Sequence, residues 1–129
     1  MAQVVVFGRR ASLDAHRAAL SDAIHSAIMR ALDYPPEKRF QRFIGLDPVD
    51  FIYPEDRGPD YTIIEISMFE GRTEAAKRTL ISELFAQIES ATGIPPHSLE
   101  VTISETPKLN WGIRGRNAAD LALGYRVDV

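Results

Sequence analysis

Residues 80–96 read LISELFAQIESATGIPP, and sixty positions earlier residues 20–36 read LSDAIHSAIMRALDYPP. At that offset Leu20 meets Leu80, Ile24 meets Leu84, Ile28 meets Ile88 and Ala31 meets Ala91. Tyr34-Pro35-Pro36 falls on Ile94-Pro95-Pro96. The apolar positions recur at helical spacing, which predicts two amphipathic helices. Each double proline stops its helix, because proline lacks an N–H and disfavours helical geometry in the residue before it.

Working outward, each helix is flanked by strand-like runs. Val4-Val5-Val6-Phe7 opens the first half. GRRAS follows as a turn, with Ser12 read as the N-cap of a helix that runs to Asp33. A strand from about Phe40 to Leu46 closes this half. In the second half TIIEISMF is a strand rich in β-branched residues, and EGRT is a turn in which Thr73 caps a helix to Thr92. Gly93 suits its C-terminal cap, and Leu99–Ser104 is the last strand. DPVDFIYPEDRGPD, between the halves, reads as a loop with a short extended piece at Phe51-Ile52-Tyr53.

The expectation is one domain over residues 1–129, with halves at about 2–46 and 61–105 and a tail at 106–129. The fold class is α+β. Two β-α-β units with right-handed crossovers make a four-stranded sheet carrying both helices on one face. Val4, Val5, Val6, Ile63, Ile64, Ile66, Val101 and Ile103 look like more apolar side chains than one face can use. That surplus predicts self-association through the back of the sheet.

Composition narrows the function. The net charge is −3, which speaks against a nucleic-acid or anionic-membrane partner. The absence of cysteine excludes disulfides, thiolate metal sites and cysteine nucleophiles. Three scattered histidines give no paired metal spacing, so no metal and no cofactor is expected. No apolar run reaches membrane-spanning length, and the start lacks a signal-peptide pattern, so the expected location is the cytoplasm.

Few residues invite chemistry. Arg72 stands where a central strand meets a helix N-terminus, where helix-end N–H groups and an arginine fork both favour a carboxylate. The plain alternative is a solvated turn residue, or an ion pair with a neighbour such as Glu74. His25 borders the apolar face of the first helix, as a half-buried helix histidine or as a donor or base aimed at a site. Trp111, in LNWGIRGR, is a core, interface or pocket residue, and Arg114 and Arg116 could serve an anion or a subunit contact.

The chain resembles the tautomerase superfamily, in particular its long members such as malonate semialdehyde decarboxylase and cis-3-chloroacrylic acid dehalogenase. The likeness rests on the immediate N-terminal strand, the doubled β-α-β plan, SDAIHSAI, the EGRT turn and ETPKLNWGIRG. It covers most of the 129 residues, through the combined order and length of these stretches rather than any one motif. The resemblance implies homotrimers with active sites near subunit contacts. It also implies that a small carboxylate or 2-oxo acid is the ligand.

In that family the catalytic group is the amine of a proline exposed when the initiator Met is removed, and arginines hold the substrate carboxylate. The proline position falls on Ala2. The arginine of the EGR turn falls on Arg72. A second arginine before it falls on Phe69 or Glu70, and is missing here. The decarboxylase's acidic residue falls near Lys38, of opposite charge. The dehalogenase's histidine falls near His25, and the family's apolar tail position falls on Trp111.

A small second residue permits removal of Met1, leaving a primary amine on Ala2. An ordinary α-amino group titrates at about 7.7–8.0, and burial or a nearby arginine lowers that. With Met1 retained, the amine moves outward by up to about 3.8 Å, beyond proton-transfer reach. The expected function is therefore a tautomerase-like protein that binds a small carboxylate, with weak keto–enol tautomerisation of a 2-oxo acid. Ala2 would be the base, Arg72 the clamp, and His25, Phe69, Lys38 and Trp111 would shape the pocket. The alternatives are a non-catalytic trimeric relative, or an enzyme whose base is a side chain such as Glu70 or His25.

Overall fold

The computed structural model describes residues 2–121. The last eight residues of the expected tail, and Met1, lie outside them. The elements run β1 (Ala2–Arg9), α1 (Arg10–Leu32), β2 (Gln41–Leu46), β3 (Thr62–Phe69), α2 (Glu74–Thr92), β4 (Leu99–Thr106) and a short hairpin of β5 (Gly112–Ile113) and β6 (Arg116–Asn117). The main sheet has the order β2-β1-β3-β4. Within each half the strands are parallel, with Val4 opposite Gln41 and Thr62 opposite Leu99. The halves meet antiparallel, with Ala2 opposite Met68 and Gly8 opposite Thr62. That junction places the leading end of β1 beside the trailing end of β3. It sends the start of α1 to the other end of the sheet.

Both helices lie on one face. Leu20, Ile24 and Ile28 of α1 and Leu80, Leu84 and Ile88 of α2 are buried against Val4, Val6, Ile64 and Ile66. The alternation of the strands corrects the expected apolar surplus. Val101 and Ile103 are level with Ile64 and Ile66 and pack on the same core. Six of the eight residues therefore serve the helix face, and only Val5 and Ile63 of that set face away. Phe7 and Ile44 join them on the back, level with Ile63, while Val5 lies between the exposed Arg42 and Glu65. The reason is the two-residue period of a strand, which a run such as Val4-Val5-Val6 conceals.

The first helix also begins earlier than expected. GRRAS is not a turn: α1 starts at Arg10, directly after β1, and its N-cap is Arg9 without a side-chain cap. Ser12 lies inside the helix, and its hydroxyl donates to Asp60 Oδ1 at 2.7 Å. Two glycines make this possible. A Cβ on Gly8 would stand 3.0 Å from Leu13 Cδ2, and one on Gly45 would stand 3.3 Å from Arg10 Cα. The first turn of α1 thus presses onto bare backbone. Gly8→Ala is expected to cost about 1–3 kcal/mol through displacement of the buried Leu13, read as a lower urea midpoint with an unchanged slope.

The second helix follows its expectation closely. The Thr73 hydroxyl oxygen accepts from the Ala76 N–H at 3.1 Å, and Gly93 closes the helix at φ 78°. Between the halves, Phe51–Tyr53 is not a strand but part of an aromatic cluster. The Phe51 and Tyr53 rings are 4.9 Å apart, and Tyr53 and Tyr61 are 4.8 Å apart. The Arg9 guanidinium lies 5.0 Å from the Tyr53 ring centroid. This loop therefore covers the Arg9 end of the sheet, roughly 23 Å along β1 from Ala2 at about 3.3 Å per residue.

Candidate functional site

Four residues gather where β1 begins, and three elements bring them there. Ala2 is buried as the first residue of β1, level with Met68 of β3. Phe69, next along β3, is also buried. The chain then turns at Gly71, with φ 118°, and delivers Arg72 just before α2. From the other half, α1 ends at Leu32, and Asp33 takes left-handed geometry at φ 49°. That turn swings Tyr34 back under the leading end of the sheet.

The polar contacts are specific. The Ala2 N–H donates to the Tyr34 hydroxyl oxygen at 2.9 Å. Arg72 is only 7% exposed, although it carries a full charge. Its Nη1 donates to the Leu32 carbonyl at 2.7 Å. That carbonyl is one of the groups a helix leaves unpaired at its C-terminus, where the helix dipole also favours a cation. Burial pushes the Tyr34 phenol above its ordinary pKa of 10.0, with the Ala2 N–H and the Arg72 charge pulling it back. Tyr34 thus stands as a neutral phenol that accepts from the Ala2 N–H and feels the Arg72 charge.

The structure disposes the expected site residues as follows. Ala2 and Arg72 share this end of the sheet, the first bonded to Tyr34 and the second to the Leu32 carbonyl two residues before it. Phe69 and Trp111 meet edge to face, with ring centroids 4.9 Å apart and planes at 63°. The tail thereby covers the outer side of the same strand end. Arg72 does not pair with Glu74, whose carboxylate accepts instead from Arg78 at 3.0 Å. His25 is buried, and its Nε2 donates to the Pro36 carbonyl at 2.7 Å. It therefore clamps the Tyr34–Pro36 turn onto α1. Lys38 lies beyond that turn, where its N–H donates to the Pro35 carbonyl at 3.2 Å. Glu70 has an exposed side chain, and its N–H donates to the Thr106 carbonyl at 3.0 Å.

Arg114 and Gly115, both at positive φ, form the tip of the β5–β6 hairpin, so Arg114 and Arg116 project from a tight turn. A hollow of about 380 Å³ beside Gln3, Phe40 and Arg42 flanks the leading end of β1. Among the described residues no group of three or more histidine, aspartate and glutamate side chains could hold a metal ion. No described helix is long and apolar enough to cross a membrane.

Sequence reasoning missed Tyr34. It read the residue only as the start of a helix stop. One signal was present: in the aligned halves Tyr34 stands where the other repeat has Ile94, so a hydroxyl replaces an apolar tip at a buried position.

Comparison with known proteins shows the family and the fold. Residues 38–114 match the family model described as tautomerase enzyme, a span from just before β2 into the hairpin tip. The 2-hydroxymuconate tautomerase of Pseudomonas putida is 46% identical over 57 residues, which are 44% of this chain and 90% of that protein. Such a relative is about half as long as this chain, in keeping with a doubled β-α-β unit. Among solved structures, malonate semialdehyde decarboxylase superimposes with a TM-score of 0.81 at 22% identity, over 93% of this chain and 99% of that one. A fused 4-OT termed R7, solved as an asymmetric trimer, has a TM-score of 0.79 at 24% identity, over 91% of this chain and 96% of that one.

Proposed function

The chain belongs to the tautomerase enzyme family, and from that premise we propose that it catalyses keto–enol tautomerisation of a small 2-oxo acid, as a homotrimer, with the α-amine of Ala2 as base. The observation that carries this reading is the placement of the Ala2 nitrogen, buried at the leading end of β1, 2.9 Å from Tyr34 and on the same end of the sheet as Arg72.

The chemistry follows from those groups. The neutral amine takes the proton of the enol hydroxyl. The electron pair of the O–H bond forms the carbonyl, and the former double-bond carbon takes a proton from the ammonium. Burial and the neighbouring guanidinium both disfavour the ammonium form, which holds the amine near the pH at which it works as both base and acid. Arg72 draws the substrate carboxylate towards the amine, and Phe69 with Trp111 forms an apolar wall. The trimer would complete the site. Val5, Phe7, Ile44 and Ile63 supply an apolar band on the back of the sheet for neighbouring subunits.

The test is ultraviolet assay of phenylenolpyruvate ketonisation with wild type and Ala2→Pro, after intact-mass measurement has shown that Met1 is absent. The wild type is expected to be slow. Ala2→Pro is expected to gain about tenfold or more, because a ring nitrogen is more basic and is held in one orientation. If neither protein exceeds buffer, the chain is a non-catalytic relative. Strong wild-type activity that survives acetylation of Ala2 would instead make a side chain the base, with Glu70 and His25 the first to replace.

A further inference from the structure

We propose that Tyr34 is a positioning residue: its hydroxyl narrows the rotation of the Ala2 amine by a hydrogen bond, where a proline ring would fix the nitrogen covalently. This rests on the reading of Ala2 as the base.

A primary amine differs from a ring amine in one mechanical respect. It rotates about its bond to Cα, so its lone pair samples several directions and is productive in only one. The backbone on one side of that bond is already held, since Ala2 is paired with Met68 in the sheet. What remains free is the rotation of the nitrogen. The Tyr34 oxygen accepts one N–H at 2.9 Å, within a site where both residues are buried. Such a bond excludes the rotation that would turn the lone pair onto Tyr34 and leaves two of the three staggered positions.

The tyrosine is itself held. Its N–H donates to the Met29 carbonyl at 3.3 Å, and the two prolines that follow are clamped to α1 through the 2.7 Å bond from His25 to Pro36. His25 therefore acts on the amine at second hand, through the turn that carries Tyr34. The internal repeat supplies an independent argument. Filling the core at this place needs no hydroxyl, because Ile94 fills it in the other half. Burying a hydroxyl is costly unless it is hydrogen-bonded. The two halves differ here at the one end of the sheet where the first strand's leading nitrogen lies.

The experiment compares Tyr34→Phe in the wild-type and Ala2→Pro backgrounds. Phenylalanine keeps the ring and its packing, and thermal melting controls for folding. With Ala2, kcat is expected to fall about tenfold while KM stays within about twofold, as for loss of orientation alone. With proline at position 2, the same substitution is expected to change kcat by less than about twofold. The α-amine pKa gives a reading independent of turnover, followed as the pH dependence of its acetylation rate by intact mass. Loss of the acceptor is expected to lower that pKa by about one unit, since a hydrogen bond to a charged donor is lost.

Equal losses in both backgrounds would overturn the positioning role, as would an unchanged α-amine pKa. So would finding Met1 retained, for then Ala2 bears no amine. If acetylated wild type stays fully active, the base assignment fails. The pKa comparison then still decides whether Tyr34 holds the amine.

Discussion

Protein that retains Met1, or carries an acetyl group on Ala2, is expected to lose about 10²–10⁴-fold in kcat while its melting temperature stays the same. An amide nitrogen has no basic lone pair. The amine of a retained Met1 would sit up to about 3.8 Å away, outside hydrogen-bond reach of the same substrate atom. Folding is spared because the bond to Tyr34 needs only an N–H on Ala2, which an amide and an amine both offer. The measurement is kcat on matched processed and acetylated samples, each verified by intact mass. Equal turnover in the two would remove Ala2 from the chemistry and leave the tautomerase reading to a side-chain base.

Arg72→Ala is expected to weaken binding of a small carboxylate by about 10–100-fold, the loss of one charge-assisted contact. It should also destabilise the fold by about 1–3 kcal/mol, because the Leu32 carbonyl at the end of α1 loses its donor in a buried setting. Arg72→Lys separates these effects. It keeps the charge and one donor but not the planar fork, so stability should recover more than affinity does. Titration of a 2-oxo acid inhibitor, alongside urea denaturation, reads both. Affinity unchanged in Arg72→Ala would remove the buried guanidinium from carboxylate binding.

These outcomes depend on contacts of very different legibility. The Thr73 cap and the Gly93 stop are local: each involves atoms within a few residues, so residue type and spacing express them. The duplicated helices were legible for the same reason, since apolar spacing reports which face is buried. The start of α1 was not. Arg9-Arg10 reads as a turn until Gly8 and Gly45 are seen to leave room for Leu13 and Arg10 against bare backbone. Likewise Val4-Val5-Val6 and Ile63-Ile64 look uniformly apolar. Only burial against the two helices shows which members reach the core.

The candidate site divides along the same line. Arg72 and Trp111 stood out by residue type and by resemblance, but neither disclosed its partner. Arg72 closes the end of a helix from the other half of the chain, and Trp111 covers Phe69. Tyr34 offered only the contrast with Ile94.

From the chain alone came the doubled β-α-β plan, its helix stops and the arginine that precedes the second helix, because each is set by short-range sterics and periodicity. The tertiary structure alone decided that the two halves join antiparallel through β1 and β3. That junction brings Arg72 of the second half to the end of the sheet where the first strand's nitrogen meets Tyr34, 32 residues away in sequence. Such a meeting depends on which strand edges pair, and pairing is a property of the whole packed sheet rather than of any segment within it.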